Sequence, residues 1–161
     1  AGADRIAVWP ASRSIVRMTD DQVLKTHAKF DRRVFEASKQ ARRSRRPLVQ
    51  ISGQQEDVIR VVQGASLAIL LEESATQNLA DVVPATETRT ADLPEAAGSE
   101  NAQLVLIVGP EGGFSDAERT QFREVGAVSA RMGPDVLRAS TAATVALGWV
   151  MGATGRWSMS D

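Results

Sequence analysis

The fold of this 161-residue chain is decided by the stretch Leu104-Val105-Leu106-Ile107-Val108-Gly109-Pro110-Glu111-Gly112-Gly113-Phe114-Ser115. Its first five residues are all apolar and predict a strand buried on both faces. A glycine-rich turn follows, and Ser115 and Glu118 have the Ser-x-x-Glu spacing of a capping box, so a helix should begin at Asp116. A buried strand, a glycine turn and a capped helix form a crevice at the carboxyl end of a sheet, where open α/β folds bind ligands.

The glycine turn differs from the two common nucleotide-binding loops. It lacks the Gly-Lys-Ser/Thr ending of a P-loop, and its Gly-x-x-Gly-Gly spacing is not that of a dinucleotide-binding loop. The missing side chains at Gly109, Gly112 and Gly113 would let a ligand lie against bare backbone. The alternative is a tight turn that needs glycine only for its backbone angles. Glu111 favours a binding loop, because an acid between glycines has little obvious structural use there.

Composition narrows the possible chemistry. The chain has no cysteine and one histidine, so disulfides, thiolate catalysis and a multi-histidine metal site are excluded, and we expect no metal. The net charge is −1, so the chain as a whole does not indicate nucleic-acid binding. The weakly polar run 142–152 is shorter than the roughly 20 apolar residues that a membrane span needs. We therefore expect a cytoplasmic protein with no membrane partner.

Strand and helix patterns alternate along the chain. Strands are predicted at 5–9, 14–17, 48–51, 67–71, 104–108 and 128–131, and helices from Asp20 or Asp21 to near Arg43, at 54–62, near 78–83, from Asp116 to a cap at Gly126, and at 137–154. The weakly patterned stretch 75–103 should also contain a surface loop. This alternation predicts an α/β fold.

Three predicted buried strands lead into loops that can meet at one sheet edge. These loops are Leu71-Glu72-Glu73, the segment from Gly109 to Ser115, and the segment from Met132 to Arg138. The third loop combines Gly133 and Pro134 with apolar residues, which suits a flat ligand such as adenine held by main-chain hydrogen bonds. Any single loop could be a simple turn before a core helix, but three together favour a binding site.

Arg138 lies at the predicted start of the last helix. The helix dipole disfavours a cation in the first turn, so this arginine is placed against its local preference. Such a placement indicates a functional role, either binding phosphate or stabilising developing negative charge. A solvated surface arginine is the alternative.

A basic cluster follows the long first helix. It consists of Arg42-Arg43-Ser44-Arg45-Arg46 and is preceded by Lys29, Arg32, Arg33 and Lys39. Clustered arginines in an otherwise neutral chain predict a phosphate-binding patch, most simply for nucleic acid. Cations also suit the carboxyl end of a helix, so a solvated helix end is the alternative.

Four motifs carry a resemblance to a known family. They are Asp4-Arg5-Ile6 with Arg13-Ser14, then Glu36-Ala37-x-x-Gln40-x-x-Arg43-x-x-x-Pro47, then Gly109 to Ser115, and finally Met132-Gly133 with Val136-Leu137-Arg138 and Thr141-Ala142. With these residues the chain resembles the bacterial 16S ribosomal RNA uridine-N3 methyltransferases of the SPOUT, or α/β-knot, superfamily. The glycine-rich motif is the most specific of the four.

The resemblance implies a fold, a cofactor and partners. It implies a single SPOUT domain over 1–161, with an open, mostly parallel sheet flanked by helices and a deep trefoil knot in its C-terminal part. It implies S-adenosylmethionine (SAM) as methyl donor, 16S rRNA of the small ribosomal subunit as substrate, and a homodimer. It also implies a PUA-like RNA-binding domain ahead of residue 1, in agreement with the abrupt start of the chain.

The resemblance, the chemistry of the reaction it implies and the basic cluster together suggest roles for individual residues. Arg138 would stabilise the uridine anion, and Glu111 would accept a proton or bind the base or ribose. The three loops would bind SAM through Leu70, Leu71, Glu72, Gly109, Pro110, Gly112, Gly113, Met132, Gly133, Pro134, Val136, Leu137 and Thr141. RNA would be bound by Arg13, Gln40, Arg43, Arg45 and Arg46. The family often has arginine at the position of Asp135 and glutamate at that of Ser140, so the third loop can differ in its contacts.

Two other functions remain compatible with the sequence. The chain could methylate another RNA position, or it could be a non-catalytic knotted RNA-binding module that acts in ribosome assembly. Binding of SAM would distinguish an enzyme from the non-catalytic module. The identity of the modified nucleoside would distinguish a uridine-N3 methyltransferase from an enzyme that acts on another RNA position.

Overall fold

The computed structural model describes residues 2–14, 19–83 and 103–157. Its elements are β1 (Arg5–Val8), α1 (Asp20–Gln40), β2 (Leu48–Ile51), α2 (Gln55–Gln63), β3 (Leu67–Leu71), α3 (Leu79–Val82), β4 (Leu104–Val108), α4 (Asp116–Glu124), β5 (Val128–Ala130) and α5 (Ala139–Ala153). The predicted α/β alternation is confirmed. The strand predicted at 14–17 and the surface loop predicted after the third helix fall largely outside the described residues.

Two parallel sheets organise the described residues. β1 pairs with β2, and a three-stranded sheet has the order β4-β3-β5. Leu71, the last residue of β3, lies opposite Val108 of β4 and Ala130 of β5. The three strands therefore end at the same edge.

The prediction that β4 is buried on both faces is wrong in detail. In β4 only Ile107 is fully buried, whereas Ala68, Ile69 and Leu70 of β3 are all buried. The physical reason is position in the sheet, because β3 has a neighbouring strand on each side and β4 pairs only with β3 among the described residues.

The side chains of β3 alternate between two apolar clusters, as the pleat of a strand requires. Leu70 faces a cluster that includes Val62, Phe114 and Phe122, whereas Ile69 faces one formed with α3 and α5. Helices therefore cover both faces of the sheet. No helix in the described ranges is long and apolar enough to cross a membrane.

The long helix α1 begins at a different cap from the one predicted. Thr19, rather than Asp20 or Asp21, is the N-cap, because its side chain accepts from the Gln22 amide while the Gln22 side chain accepts from the Thr19 amide. The ring of His27 on α1 is exposed. Its Nε2 atom lies 3.1 Å from the carbonyl oxygen of Val49, which links α1 to β2.

The three tryptophans have different surroundings. The ring of Trp9 stacks on Phe114 with the ring centroids 6.3 Å apart, and it meets Phe122 edge to face. Trp9 is therefore a partly buried residue that packs against the core. Trp149 and Trp157 are 41% and 60% exposed, and the indole nitrogen of Trp149 donates to the Val83 carbonyl oxygen at 3.2 Å.

Candidate functional site

The three predicted ligand loops meet at the carboxyl edge of the three-stranded sheet. Glu72 follows β3, Gly109 follows β4 and Arg131 follows β5, and the strand register sets these exits side by side. The amide of Glu72 donates to the carbonyl oxygen of Ala130 at 3.1 Å, which extends the pairing of β3 with β5 by one residue. The predicted convergence of the loops is confirmed.

The glycine turn after β4 is closed by a hydrogen bond from the Gly113 amide to the Pro110 carbonyl oxygen, at 2.8 Å. Gly113 has a φ of +65°, which favours glycine. At Gly109 a Cβ atom would lie 3.0 Å from the Phe114 ring, so this glycine is needed for packing. Glu111 is exposed at the tip of the turn. Two of the three glycines therefore have a structural requirement that the binding-loop interpretation did not include.

The helix after the turn is fixed by Glu118, whose side chain is almost wholly buried. The predicted capping box is present, because the Ser115 side chain accepts from the Glu118 amide and Glu118 accepts from the Ser115 amide at 2.8 Å. Burial raises the pKa of Glu118, but the hydrogen bonds from Ser115 and Ser12 outweigh burial and hold the pKa below its ordinary value. Glu118 is therefore a buried carboxylate at the base of the site.

A fourth segment, the one after β1, also reaches the glycine turn. The Ser12 amide and hydroxyl both donate to the Glu118 carboxylate, at 2.8 and 2.7 Å. Next to Ser12, the guanidinium of Arg13 donates to the Gly112 carbonyl oxygen at 3.1 Å. The resemblance indicated Arg13, but Ser12 was missed. The available signal was that β1 also ends in a loop, although its sequence lacks the continuous apolar run by which the other exits were found.

The third loop presents apolar side chains to solvent. Val136 is 74% exposed and Leu137 is 38% exposed, although both are aliphatic. Gly133 has a φ of +143°, and a Cβ atom there would meet nothing within 4 Å. The loop therefore has an uncovered apolar surface and open backbone, as a site for a flat, partly apolar ligand requires.

Arg138 and Thr141 lie at the start of α5. Arg138 is the N-cap residue of the helix, its side chain is exposed, and its carbonyl oxygen accepts from the Ala142 amide at 2.8 Å. Thr141 is exposed in the first turn. The guanidinium and the amino end of the helix add positive potential at the same place, so both favour an anion beside the third loop.

The loop after β3 is more enclosed than predicted. Leu70 is fully buried in the core, which leaves only its backbone to contact a ligand, and Leu71 is partly buried. The side chain of Glu72 is 5% exposed and forms ion pairs with Arg119 and Arg123 of α4. Both residues have neighbours within the protein that the sequence did not indicate.

Part of the basic cluster is held by intramolecular contacts. Arg43 donates to the Ala3 carbonyl oxygen at 2.6 Å and to Asp4 at 3.0 Å. Arg156 also donates to Asp4, and the hydrogen bond from Arg156 is the main cause that lowers the pKa of that carboxyl. Arg43 therefore joins the end of α1 to β1, which the sequence did not predict.

The remaining predicted RNA-binding residues are exposed. Arg46 forms an ion pair with Asp31 at 3.2 Å, and both Gln40 and Arg45 are open to solvent. Farther back on α1, Lys29, Arg32 and Arg33 help to line a surface groove of about 600 Å³. The described residues include no cluster of three or more side chains suited to hold a metal ion.

Comparison with known proteins identifies the family. The model of the RNA methyltransferase domain matches residues 1–151. The ribosomal RNA small subunit methyltransferase E of Mycobacterium bovis is 37% identical over 164 residues, which cover 99% of this chain and 57% of that protein. The protein of the same name from Bacillus subtilis is 28% identical, over 91% of this chain and 54% of its own length. The chain thus spans little more than half the length of these relatives.

Solved structures share the fold. A crystal structure of a hypothetical protein superposes with a TM-score of 0.77 at 23% identity, over 95% of this chain and 57% of its own. The ribosomal RNA small subunit methyltransferase E of Neisseria gonorrhoeae, bound to S-adenosyl methionine, superposes with a TM-score of 0.65 at 22% identity, over 89% of this chain and 52% of its own. With the matched family model, these findings show that the chain belongs to the RNA methyltransferase domain family.

Proposed function

We propose that this chain is the catalytic domain of a SAM-dependent methyltransferase that modifies N3 of a uridine in 16S rRNA of the small ribosomal subunit. The observation that carries the proposal is the meeting of three strand exits at one sheet edge, beside the exposed Val136 and Leu137 and the N-cap residue Arg138. The names of the relatives support small-subunit rRNA as the substrate. The uridine position rests on the motif resemblance.

The residues at this edge fit SAM. Open backbone at Gly133 and the exposed aliphatic side chains of Val136 and Leu137 provide a surface against which adenine can lie. The neisserial relative, which has the same fold, was solved with SAM bound. When bound, SAM supplies a methyl group on a positively charged sulfonium, which becomes neutral as the methyl leaves.

The chain must supply two things to the acceptor base. N3 of uridine carries a proton that must leave as the methyl arrives, so the site has to favour the uridine anion. Arg138 does this, because its guanidinium and the amino end of α5 place positive potential at the site. Glu111, exposed at the tip of the glycine turn, accepts the proton or binds the base or ribose.

The active form is a homodimer, and α5 provides the contact surface. Val145 and Trp149 lie one turn apart on α5 and are 48% and 41% exposed. Gly148 and Gly152 lie on the same helix. A Cβ atom built on Gly148 would lie 3.4 Å from the Trp157 ring, but nothing lies within 4 Å of one built on Gly152, so a second helix can approach closely at Gly152. Light scattering tests this, because Val145→Glu should convert a dimer to a monomer. A monomeric wild-type chain would contradict it.

The deep trefoil knot and the cytoplasmic location belong to the same proposal. A knot in this position would make the third loop and α5 part of a threaded segment, which would hold the SAM site rigid. Such a knot predicts that chemically unfolded protein refolds much more slowly than an unknotted parallel sheet of this size.

Two measurements test the function directly. Calorimetric titration with SAM should show saturable binding, because a purely RNA-binding assembly module has no need of SAM. Mass spectrometry of nucleosides from treated small subunits should then show N3-methyluridine. Absence of SAM binding would favour the non-catalytic module, and a different methylated nucleoside would favour another RNA position.

A further inference from the structure

We infer that Glu72 is a positioning residue that fixes the three ligand loops relative to one another, rather than a direct ligand of SAM. The inference rests on the proposed function for its effect on SAM. It begins from the ion pairs of the Glu72 carboxylate, which lies 2.9 Å from Nε of Arg119 and 2.5 Å from a terminal guanidinium nitrogen of Arg123. Arg123 thus hydrogen-bonds one carboxylate oxygen, and Arg119 faces the other as an ion pair that is not aligned as a hydrogen bond.

These contacts join three separate parts of the site. Glu72 is the first residue after β3, and the two arginines belong to the helix that follows the glycine turn. Arg123 also donates through Nε to the Ser129 hydroxyl of β5, at 3.1 Å. One carboxylate therefore connects the exits of β3 and β4 with β5.

The Arg119 side chain also lies close to the glycine turn. A terminal guanidinium nitrogen of Arg119 lies 3.9 Å from the position that a Cβ atom on Gly113 would occupy. The same side chain donates to Asp116 at 2.7 Å, in the first turn of α4. Arg119 thus pairs with Glu72 and Asp116, and one end of its guanidinium lies beside the glycine turn.

Burial shields the carboxylate of Glu72 from water. The Glu72 side chain is 5% exposed, whereas those of Arg119 and Arg123 are 26% and 52% exposed, so water reaches the arginines more easily than the carboxylate. A buried charge that loses its partner is strongly unfavourable, and the neighbouring segments would shift to hydrate it. A small displacement of a binding loop is enough to weaken a ligand that needs several simultaneous contacts.

The main test is Glu72→Gln, which preserves shape and removes the charge. We expect its dissociation constant for SAM to rise about tenfold or more, because the loops lose their fixed spacing. Hydrogen exchange should accelerate at the amides of Gly112, Gly113 and Phe114. Glu72→Asp retains the charge, so it should recover part of the SAM affinity and part of the protection from hydrogen exchange. If Glu72→Gln does not fold, Glu72→Asp is measured in its place.

A matched control separates positioning from general stability. Asp4 also pairs with two arginines, Arg43 and Arg156, but it precedes β1 and lies away from the three loops. Asp4→Asn should lower the melting temperature and leave both the SAM affinity and the exchange of the glycine turn within about twofold of wild type.

The outcomes distinguish the inference from the proposed function. Unchanged SAM affinity and unchanged exchange in folded Glu72→Gln would overturn the inference. Equal losses in Glu72→Gln and Asp4→Asn would also overturn it, because the effect would then follow stability alone. If the wild-type chain does not bind SAM, the proposed function fails, and so does the part of the inference that concerns SAM affinity. Faster hydrogen exchange at the glycine turn in Glu72→Gln, but not in Asp4→Asn, would still support the role of Glu72 in fixing the loops.

Discussion

The carboxylate of Glu118 accepts two hydrogen bonds from Ser12, one from its amide at 2.8 Å and one from its hydroxyl at 2.7 Å. Through this contact, the segment after β1 is attached to the helix that follows the glycine turn. The same contact sets Arg13, the next residue, against Gly112. Glu118 therefore holds together two parts of the site that lie far apart in the sequence.

Glu118→Gln should lower the free energy of unfolding by about 1–3 kcal/mol near pH 7. The NH₂ group of the glutamine side chain is a donor, and it would face N–H and O–H groups of Ser12 and Ser115 that are donors as well. The folded-state pKa of Glu118 is below its ordinary value of 4.5. Its stabilisation is therefore complete above that value and is lost as the pH falls toward the lower, folded-state pKa.

Denaturant unfolding of both proteins between pH 3 and pH 7 measures this effect. The difference in stability between wild type and Glu118→Gln should be largest near neutral pH and should shrink in acid. A difference that stays constant over this range would show that the charge of Glu118 does not contribute.

Gly109 of the glycine turn and Gly53, which lies between β2 and α2, should respond differently to substitution. Gly109→Ala places a Cβ atom 3.0 Å from the Phe114 ring, so it should cost about 1–3 kcal/mol of stability through overpacking. Gly53→Ala is the control, because a Cβ atom there meets nothing within 4 Å. Thermal unfolding of the two variants is the measurement, and equal melting temperatures would contradict the prediction.

Gly112→Val should abolish SAM binding while the fold survives. A Cβ atom at Gly112 lies 3.4 Å from Cβ of Arg13, which is ordinary contact, but the two methyl groups of valine would project over the turn and displace Arg13. Calorimetry with SAM, beside a circular dichroism spectrum, checks both halves. Unchanged affinity in a folded variant would show that ligand does not approach this backbone.

Arg138→Ala should reduce the rate of methylation by about 10²–10³-fold, the usual effect of removing one group that stabilises an anionic transition state. SAM affinity should change much less, because the guanidinium acts on the acceptor base. Single-turnover assays with small subunits give the rate. A variant that loses SAM affinity and rate in equal proportion would place Arg138 in cofactor binding instead.

The basic cluster should bind RNA. Changing Arg43, Arg45 and Arg46 together to alanine should weaken RNA binding and flatten its dependence on salt concentration. Each phosphate contact releases counterions from the RNA when it forms, so a variant with fewer contacts releases fewer of them. SAM affinity should not change. Filter binding at several salt concentrations is the measurement, and an unchanged slope would indicate a solvated helix end.

The structure adds a necessary control to that experiment. Arg43 is bonded to Ala3 and Asp4, so its loss should also lower stability. The double variant Arg45→Ala, Arg46→Ala leaves those bonds intact. If only the triple variant loses RNA affinity, and its melting temperature falls as well, then Arg43 supports RNA binding by stabilising the fold and not by contacting phosphate.

The sequence alone determined those features that depend on neighbouring residues. The capping box of Ser115 and Glu118, the order of the helices and strands, and the loops after β3, β4 and β5 all follow from patterns within a few positions. Because parallel strands end at one edge, even the meeting of the three loops could be predicted. These parts agree with the structure because local hydrogen bonding and apolar periodicity decide them.

Only the tertiary structure decided which side chains meet across the site. Ser12 reaches Glu118, Arg13 reaches Gly112, and Glu72 lies between two arginines of α4. Each of these contacts joins segments that are distant in the chain, so each depends on how the strands are ordered and how α4 packs on the sheet. A local sequence pattern contains no information on that packing, because the partners of a buried charge are set by the fold that encloses it.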